Sequence, residues 1–80
     1  MVLYPNPVQD RLTLHLSDPA ATGTVLISVY DATGKLVRAV QETLNLGVTT
    51  TTLDVSALPK GIYLVQATGA ITGNSRLVVE

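Results

Sequence analysis

The chain has 80 residues, of which 46% are hydrophobic and 14% charged, and its five basic and six acidic side chains give a formal net charge of −1. That length is enough for one small domain, and the apolar content excludes an intrinsically disordered chain. Because the basic residues form no cluster and cysteine is absent, the composition disfavours binding to nucleic acid or anionic membranes and excludes disulfides, thiolate metal sites and cysteine nucleophiles.

Neither a membrane span nor a signal peptide is visible in the chain. No apolar run approaches the roughly 20 residues that cross a bilayer, and the N-terminus lacks the basic and apolar regions of a secretory signal. We therefore expect residues 1–80 to form a single domain excised from a longer protein, with Met1 added at its start. Any targeting signal would lie upstream.

Apolar and polar residues alternate with period two, which predicts short β-strands separated by turns. Residues 4–7 open the chain in an extended form stiffened by two prolines. Residues 62–67 are apolar on both faces, which is typical of a central strand covered from two sides. The predicted strands cover residues 11–16, 24–31, 35–41, 48–55, 62–67 and 75–80.

The turn signals predict how these strands are joined. Residues 31–34 read Asp-Ala-Thr-Gly, a tight turn that makes residues 24–41 a β-hairpin, whereas residues 42–47 stay unassigned. No amphipathic helix is predicted, so the fold class is all-β, an immunoglobulin-like antiparallel β-sandwich of six to seven short strands. Tyr63 follows a Leu/Gly turn, which predicts a tyrosine corner in which its hydroxyl bonds to nearby backbone.

The residue types that carry chemistry are sparse and scattered. The only histidine, His15, lies on the polar face of a strand, and the chain has no Gly-x-Ser-x-Gly motif that would present a serine nucleophile to it. No two of the six carboxylates lie within five residues of each other, so no calcium-binding loop is predicted. The glycines lie between strands and form no phosphate-binding loop. We therefore expect no catalytic residue, no metal and no cofactor. A carbohydrate-binding strip assembled in three dimensions from the three tyrosines stays open.

Three segments carry a family resemblance. Residues 3–7 read Leu-Tyr-Pro-Asn-Pro, residues 29–37 read Val-Tyr-Asp-Ala-Thr-Gly-Lys-Leu-Val, and residues 53–65 contain Leu-Asp-Val-Ser-x-Leu-Pro-x-Gly-Ile-Tyr. In this order and separation they resemble the C-terminal sorting domains of the type IX secretion system of Bacteroidota, of the type A subtype. The resemblance covers essentially the whole chain.

This resemblance implies a non-catalytic address label at the end of a cargo protein. Such a domain folds in the periplasm and engages the outer-membrane translocon. It is commonly removed at the cell surface by a sortase-like peptidase, which can link the cargo to anionic lipopolysaccharide. The implied partners are therefore translocon components and that surface peptidase. The implied location is the periplasm in transit, then the cell surface or the medium.

Recognition is expected to lie in the matched motifs and in the last strand. The family's last strand often carries Lys or Arg near its end, whereas here one Arg is followed by a terminal Glu80. A last strand at a sheet edge would expose unpaired backbone groups for strand addition, with side chains readable on both faces. The expected recognition residues are Tyr4, Pro5, Asn6, Pro7, Asp31, Gly34, Lys35, Gly61, Tyr63, Arg76, Leu77, Val78 and Val79.

Two other functions compete with the sorting signal. A structural or adhesive fibronectin-like module of a surface protein would have the same strand pattern. A small enzyme or lectin would require a deep polar cleft or an exposed tyrosine platform. The positive mean hydropathy further predicts exposed apolar surface, and therefore weak self-association or a docking patch.

Overall fold

A computed structural model describes all residues, 1–80, and contains seven β-strands and no helix. The predicted all-β class with six to seven strands is confirmed. No segment is a helix of the length and hydrophobicity needed to cross a membrane. In chain order the strands are β1 (Val2–Tyr4), β2 (Arg11–Ser17), β3 (Thr24–Tyr30), β4 (Leu36–Thr43), β5 (Val48–Asp54), β6 (Gly61–Gly69) and β7 (Gly73–Val79).

The strands form two antiparallel sheets, as expected for an immunoglobulin-like sandwich. One sheet has three strands in the order β1-β2-β5, and the other has four in the order β4-β3-β6-β7. The predicted hairpin is present as β3 and β4, with a register shift between Val29 and Tyr30 that brings Tyr30 opposite Leu36. β4 runs on to Thr43, into the segment left unassigned from the sequence, because its backbone continues to pair with β3.

Alternate residues of both sheets meet in one aliphatic core. Leu12, Leu14 and Leu16 of β2 are fully buried, as their period-two spacing predicts. Burying each such side chain contributes about 1.5–3 kcal/mol. Fourteen buried residues make up the core: Val8, Leu12, Leu14, Leu16, Val25, Ile27, Val29, Leu53, Val55, Tyr63, Val65, Ala67, Leu77 and Val79.

Both long sides of the sandwich are closed by contacts between the sheets. On one side the Thr51 hydroxyl donates to the Glu42 carboxylate (3.1 Å), and the Arg38 guanidinium donates to the carbonyl of Asp54 (3.2 Å), so that β4 is tied to β5. On the other side the N-terminal segment, residues 6–8, leaves the three-stranded sheet and lies against β7. Residues 6–8 near the N-terminus are therefore held beside the last strand.

Candidate recognition surface

The turn between β3 and β4 is organised around the side chain of Asp31. Its Oδ1 atom accepts hydrogen bonds from the backbone N–H of Thr33 (2.9 Å), the hydroxyl of Thr33 (2.6 Å) and the backbone N–H of Lys35 (3.0 Å). Gly34 supplies the positive φ of 87° in this turn, and its N–H donates to the carbonyl of Asp31 at 3.0 Å. These bonds converge on one residue and hold the turn in one shape.

The same bonds set the protonation of this carboxyl group. The Thr33 hydroxyl and the backbone N–H of Lys35 both favour the ionised form, and they lower the pKa of Asp31 below its usual value. Because the folded-state pKa lies below the unfolded one, the carboxylate stabilises the turn at pH values above the unfolded pKa. That stabilisation is lost as the pH falls through the lowered pKa.

A second turn of the same design follows β5. The Oδ1 atom of Asp54 accepts from the backbone N–H of Ser56 at 2.9 Å and from its hydroxyl at 2.6 Å. The Ser56 hydroxyl is the largest cause that lowers the pKa of Asp54, followed by the backbone N–H of Ser56. The Asp-Val-Ser motif is therefore a turn device that directs the chain toward β6.

The tyrosine corner predicted from the sequence is present at the start of β6. The Tyr63 hydroxyl donates to the carbonyl of Pro59 at 2.5 Å, and only 5% of the residue is exposed. The hydroxyl satisfies a backbone acceptor of the turn, while the ring fills the core beneath it. The Gly-x-Tyr motif thus joins the turn rigidly to a central strand of the four-stranded sheet.

The N-terminal motif pairs with the last strand through a side chain. The Asn6 carboxamide donates from Nδ2 to the carbonyl of Arg76 (2.9 Å) and accepts at Oδ1 from the N–H of Val78 (3.1 Å). Val8 continues the pairing, because its N–H donates to the carbonyl of Val78 and its carbonyl accepts from the N–H of Glu80, both at 2.8 Å. Since a carboxamide carries the same donor and acceptor as a peptide group, Asn6 acts as one residue of an added strand.

These pairings show that part of the β7 edge is already paired. The sequence interpretation expects unpaired backbone groups along the whole edge strand. Residues 6–8 cover the part of this edge that runs from Arg76 to Glu80. Edge strands are commonly covered in this way because open backbone invites unwanted pairing.

The matched segments meet at one end of the four-stranded sheet. Across the four strands Leu36, Tyr30, Leu64 and Arg76 stand opposite one another in a single row. The Asp31 turn closes β3 beside this row, and the tyrosine corner opens β6 there. Residues far apart in the chain, such as Asn6 and Arg76 at a separation of 70 positions, are therefore neighbours in space.

A shallow groove of about 600 Å³ lies over this row on the outer face of the sheet. Leu36 is 50% exposed, Ile62 is 53% exposed and Leu64 is 42% exposed, which is unusual for large aliphatic side chains grouped together. Ile62, Leu64, Tyr30 and the Arg76 side chain line the groove. Its open, mostly apolar lining suits contact with another protein surface.

A model of the family described as the secretion system C-terminal sorting domain matches residues 2–80. The chain belongs to this family. The predicted resemblance to type IX sorting domains is thereby confirmed over essentially the whole chain. Searches of the curated proteins and of the solved structures found no match.

The sorting domain exposes only some of the residues predicted to carry recognition. Arg76 is exposed and Val78 is half-buried, whereas Leu77 and Val79 point into the core with exposures of 0% and 4%. A partner of the folded domain therefore meets one face of β7, not both. Tyr4 is 50% exposed but lies on β1, in the other sheet.

Five groove residues were not among the predicted recognition residues: Tyr30, Ala32, Ile62, Leu64 and Gln66. The sequence did contain a signal, because residues 62–67 are apolar on both faces. That pattern was interpreted as a strand covered from two sides, and this interpretation is wrong. β6 is central in its sheet, but nothing covers its outer face, where Ile62 and Leu64 are exposed.

The remaining sequence candidates lie elsewhere in the sorting domain. His15 is half-buried, and its Nδ1 atom is 2.9 Å from the Thr50 hydroxyl. No group of three or more histidine, aspartate or glutamate side chains is placed to hold a metal ion. The three tyrosines do not share a platform, because Tyr63 is buried while Tyr4 and Tyr30 belong to different sheets.

Proposed function

We propose that this chain is a non-catalytic sorting signal that directs an attached cargo protein from the periplasm through the type IX translocon to the cell surface or the medium. The observation that carries the proposal is the convergence of the family's motif segments on one end of the four-stranded sheet. Two of these segments contain turns held by the carboxylates of Asp31 and Asp54, and the third contains Asn6, which contacts β7. Such a rigid surface suits recognition, since little conformational entropy is lost on binding.

The groove supplies the apolar contact that recognition needs. Tyr30, Ile62 and Leu64 present side chains that are partly exposed in the free domain, so a translocon component that covers them gains hydrophobic free energy. Met1 lies beside Gly73 and leads into β1 of the three-stranded sheet, whereas the groove lies on the outer face of the four-stranded sheet. Cargo joined upstream would therefore leave the groove open, and a sortase-like peptidase would act on the connecting chain.

Transfer of export to a foreign protein is the direct test. Residues 2–80 are fused behind a fluorescent reporter that carries a periplasmic signal peptide, and the fusion is expressed in Bacteroidota strains with and without a working type IX translocon. We expect the reporter on the surface or in the medium of the competent strain alone. A folded fusion that stays in the periplasm of both strains would contradict the proposal and favour a structural or adhesive fibronectin-like module.

A matched pair of substitutions tests the groove itself. Leu64 and Leu26 lie on the same outer face, on the two central strands, with exposures of 42% and 44%, but only Leu64 lines the groove. We expect Leu64→Asp to lower export at least about tenfold, the effect of roughly 1.4 kcal/mol in binding. Leu26→Asp should be exported at nearly the wild-type level. Equal export of the two variants, with equal thermal stability, would rule out the groove as the recognised surface.

A further inference from the structure

The pairing of β7 with β6 determines which backbone N–H and carbonyl groups of β7 point outward. The carbonyl of Arg76, the N–H and carbonyl of Val78 and the N–H of Glu80 all point away from β6, because they bond to residues 6–8. In an antiparallel pair the outward groups belong to every second residue. The N–H and carbonyl of Asn74 and the N–H of Arg76 therefore point outward too, beyond the part that Asn6 covers.

The two residues that occupy this edge differ in how firmly they are held. Val8 is fully buried and belongs to the core, so its removal from β7 would expose apolar surface. Asn6 is exposed, and its hydrogen bonds to β7 are made by its carboxamide. Release of Asn6 therefore frees the carbonyl of Arg76 and the N–H of Val78 without opening the core.

We propose that the outer edge of β7 over residues 74–78 accepts an extended segment of the partner protein that recognises the sorting domain, and that Asn6 occupies the end of this edge in the free domain. The proposal rests on the proposed sorting function and names the kind of partner. An added segment would form the backbone bonds that Asn6 imitates and further bonds at Asn74 and Arg76. The occupant is a β-strand because the exposed groups are those of a strand ladder.

The groove lies next to the outer edge of β7, and this position supports an extended partner segment as the occupant of the edge. Arg76 contributes its side chain to the groove and its backbone to the edge, so the two features are continuous. A segment added beside β7 would extend the four-stranded sheet, and every second side chain of that segment would lie on the face that carries the groove. Backbone bonds would then provide affinity, and contacts with Ile62 and Leu64 would provide specificity.

A proline at a β7 residue whose N–H points away from β6 tests whether a partner strand pairs with this edge, and it leaves the pairing of β7 with β6 intact. Arg76→Pro removes an N–H that points away from β6, and proline is tolerated on edge strands when its nitrogen faces outward. Arg76→Gln is the matched control, since it removes the charge and keeps the N–H. In the reporter assay we expect export to fall at least about tenfold further for Arg76→Pro than for Arg76→Gln, whose own loss measures what the side chain contributes to the groove. Circular dichroism would verify that both variants are folded.

Two more variants keep the outcome decisive if Arg76→Pro misfolds. Asn74→Pro blocks the same edge at the next outward residue and should also lose export, whereas Asn74→Ala keeps that N–H, lies outside the groove and should keep export. Folded proline variants that export normally, or a folded Asn74→Ala that loses export as completely as Asn74→Pro, would overturn the proposal. So would an Arg76→Gln defect as large as that of Arg76→Pro, since the partner would then read the charge. Wild-type domain that fails to export the reporter would instead contradict the sorting function.

Discussion

Replacing Leu77 by alanine is expected to lower the free energy of unfolding by about 2–5 kcal/mol. The Leu77 side chain is fully buried in a core of fourteen residues. Alanine would leave a cavity there and remove contacts that hold the two sheets together. Val78→Ala is the matched control on the neighbouring residue, whose side chain lies on the outer face and is half-buried. That change should cost about 1 kcal/mol or less.

Urea unfolding followed by circular dichroism would measure both variants. Similar midpoints for Leu77→Ala and Val78→Ala would show that the last strand does not contribute to the core as described. The expected difference also bears on any export experiment. Deleting residues 75–80 removes Leu77 and Val79 from the core, so a loss of export after truncation would report unfolding as much as loss of a signal.

Gly47→Ala is the second substitution for which we expect a large effect, on the order of 3–5 kcal/mol. A Cβ atom at this position would lie 2.2 Å from the carbonyl oxygen of Asp18, which is backbone and cannot move aside cheaply. The φ of Gly47 is also positive, at 79°. Its carbonyl accepts from the N–H of Asp18 at 2.8 Å, so a shift of this loop would break that bond as well.

Gly34→Ala separates the two causes. Gly34 has a nearly equal φ of 87°, but an added Cβ there would meet nothing within 4 Å. Its substitution should cost only the backbone term, about 1–2 kcal/mol. Thermal unfolding of the two variants would compare them directly. If Gly34→Ala proved as destabilising as Gly47→Ala, the close approach to Asp18 would not be the cause.

Local chemistry explains what could be predicted from the sequence. Alternation identified β2 because Leu12, Leu14 and Leu16 all face one core, and the Asp31 turn is built from neighbours in the chain. The tyrosine corner likewise joins residues only four positions apart, Tyr63 and Pro59. Such features need no knowledge of distant pairing, so composition and spacing determine them. β1 was missed as a strand because three residues next to a proline carry too little pattern.

The amino-acid sequence by itself determined the all-β class, the β3–β4 hairpin, the turns and the family. Only the tertiary structure decided which apolar face stays uncovered and what lies beside the last strand. Because side chains alternate between the two faces of a strand, the sequence indicates that Ile62 and Leu64 share a face. Whether another layer covers that face depends on the packing of the whole chain. The pairing of Asn6 with Arg76 joins residues 70 positions apart, and no local pattern encodes a contact set by the register of separate strands.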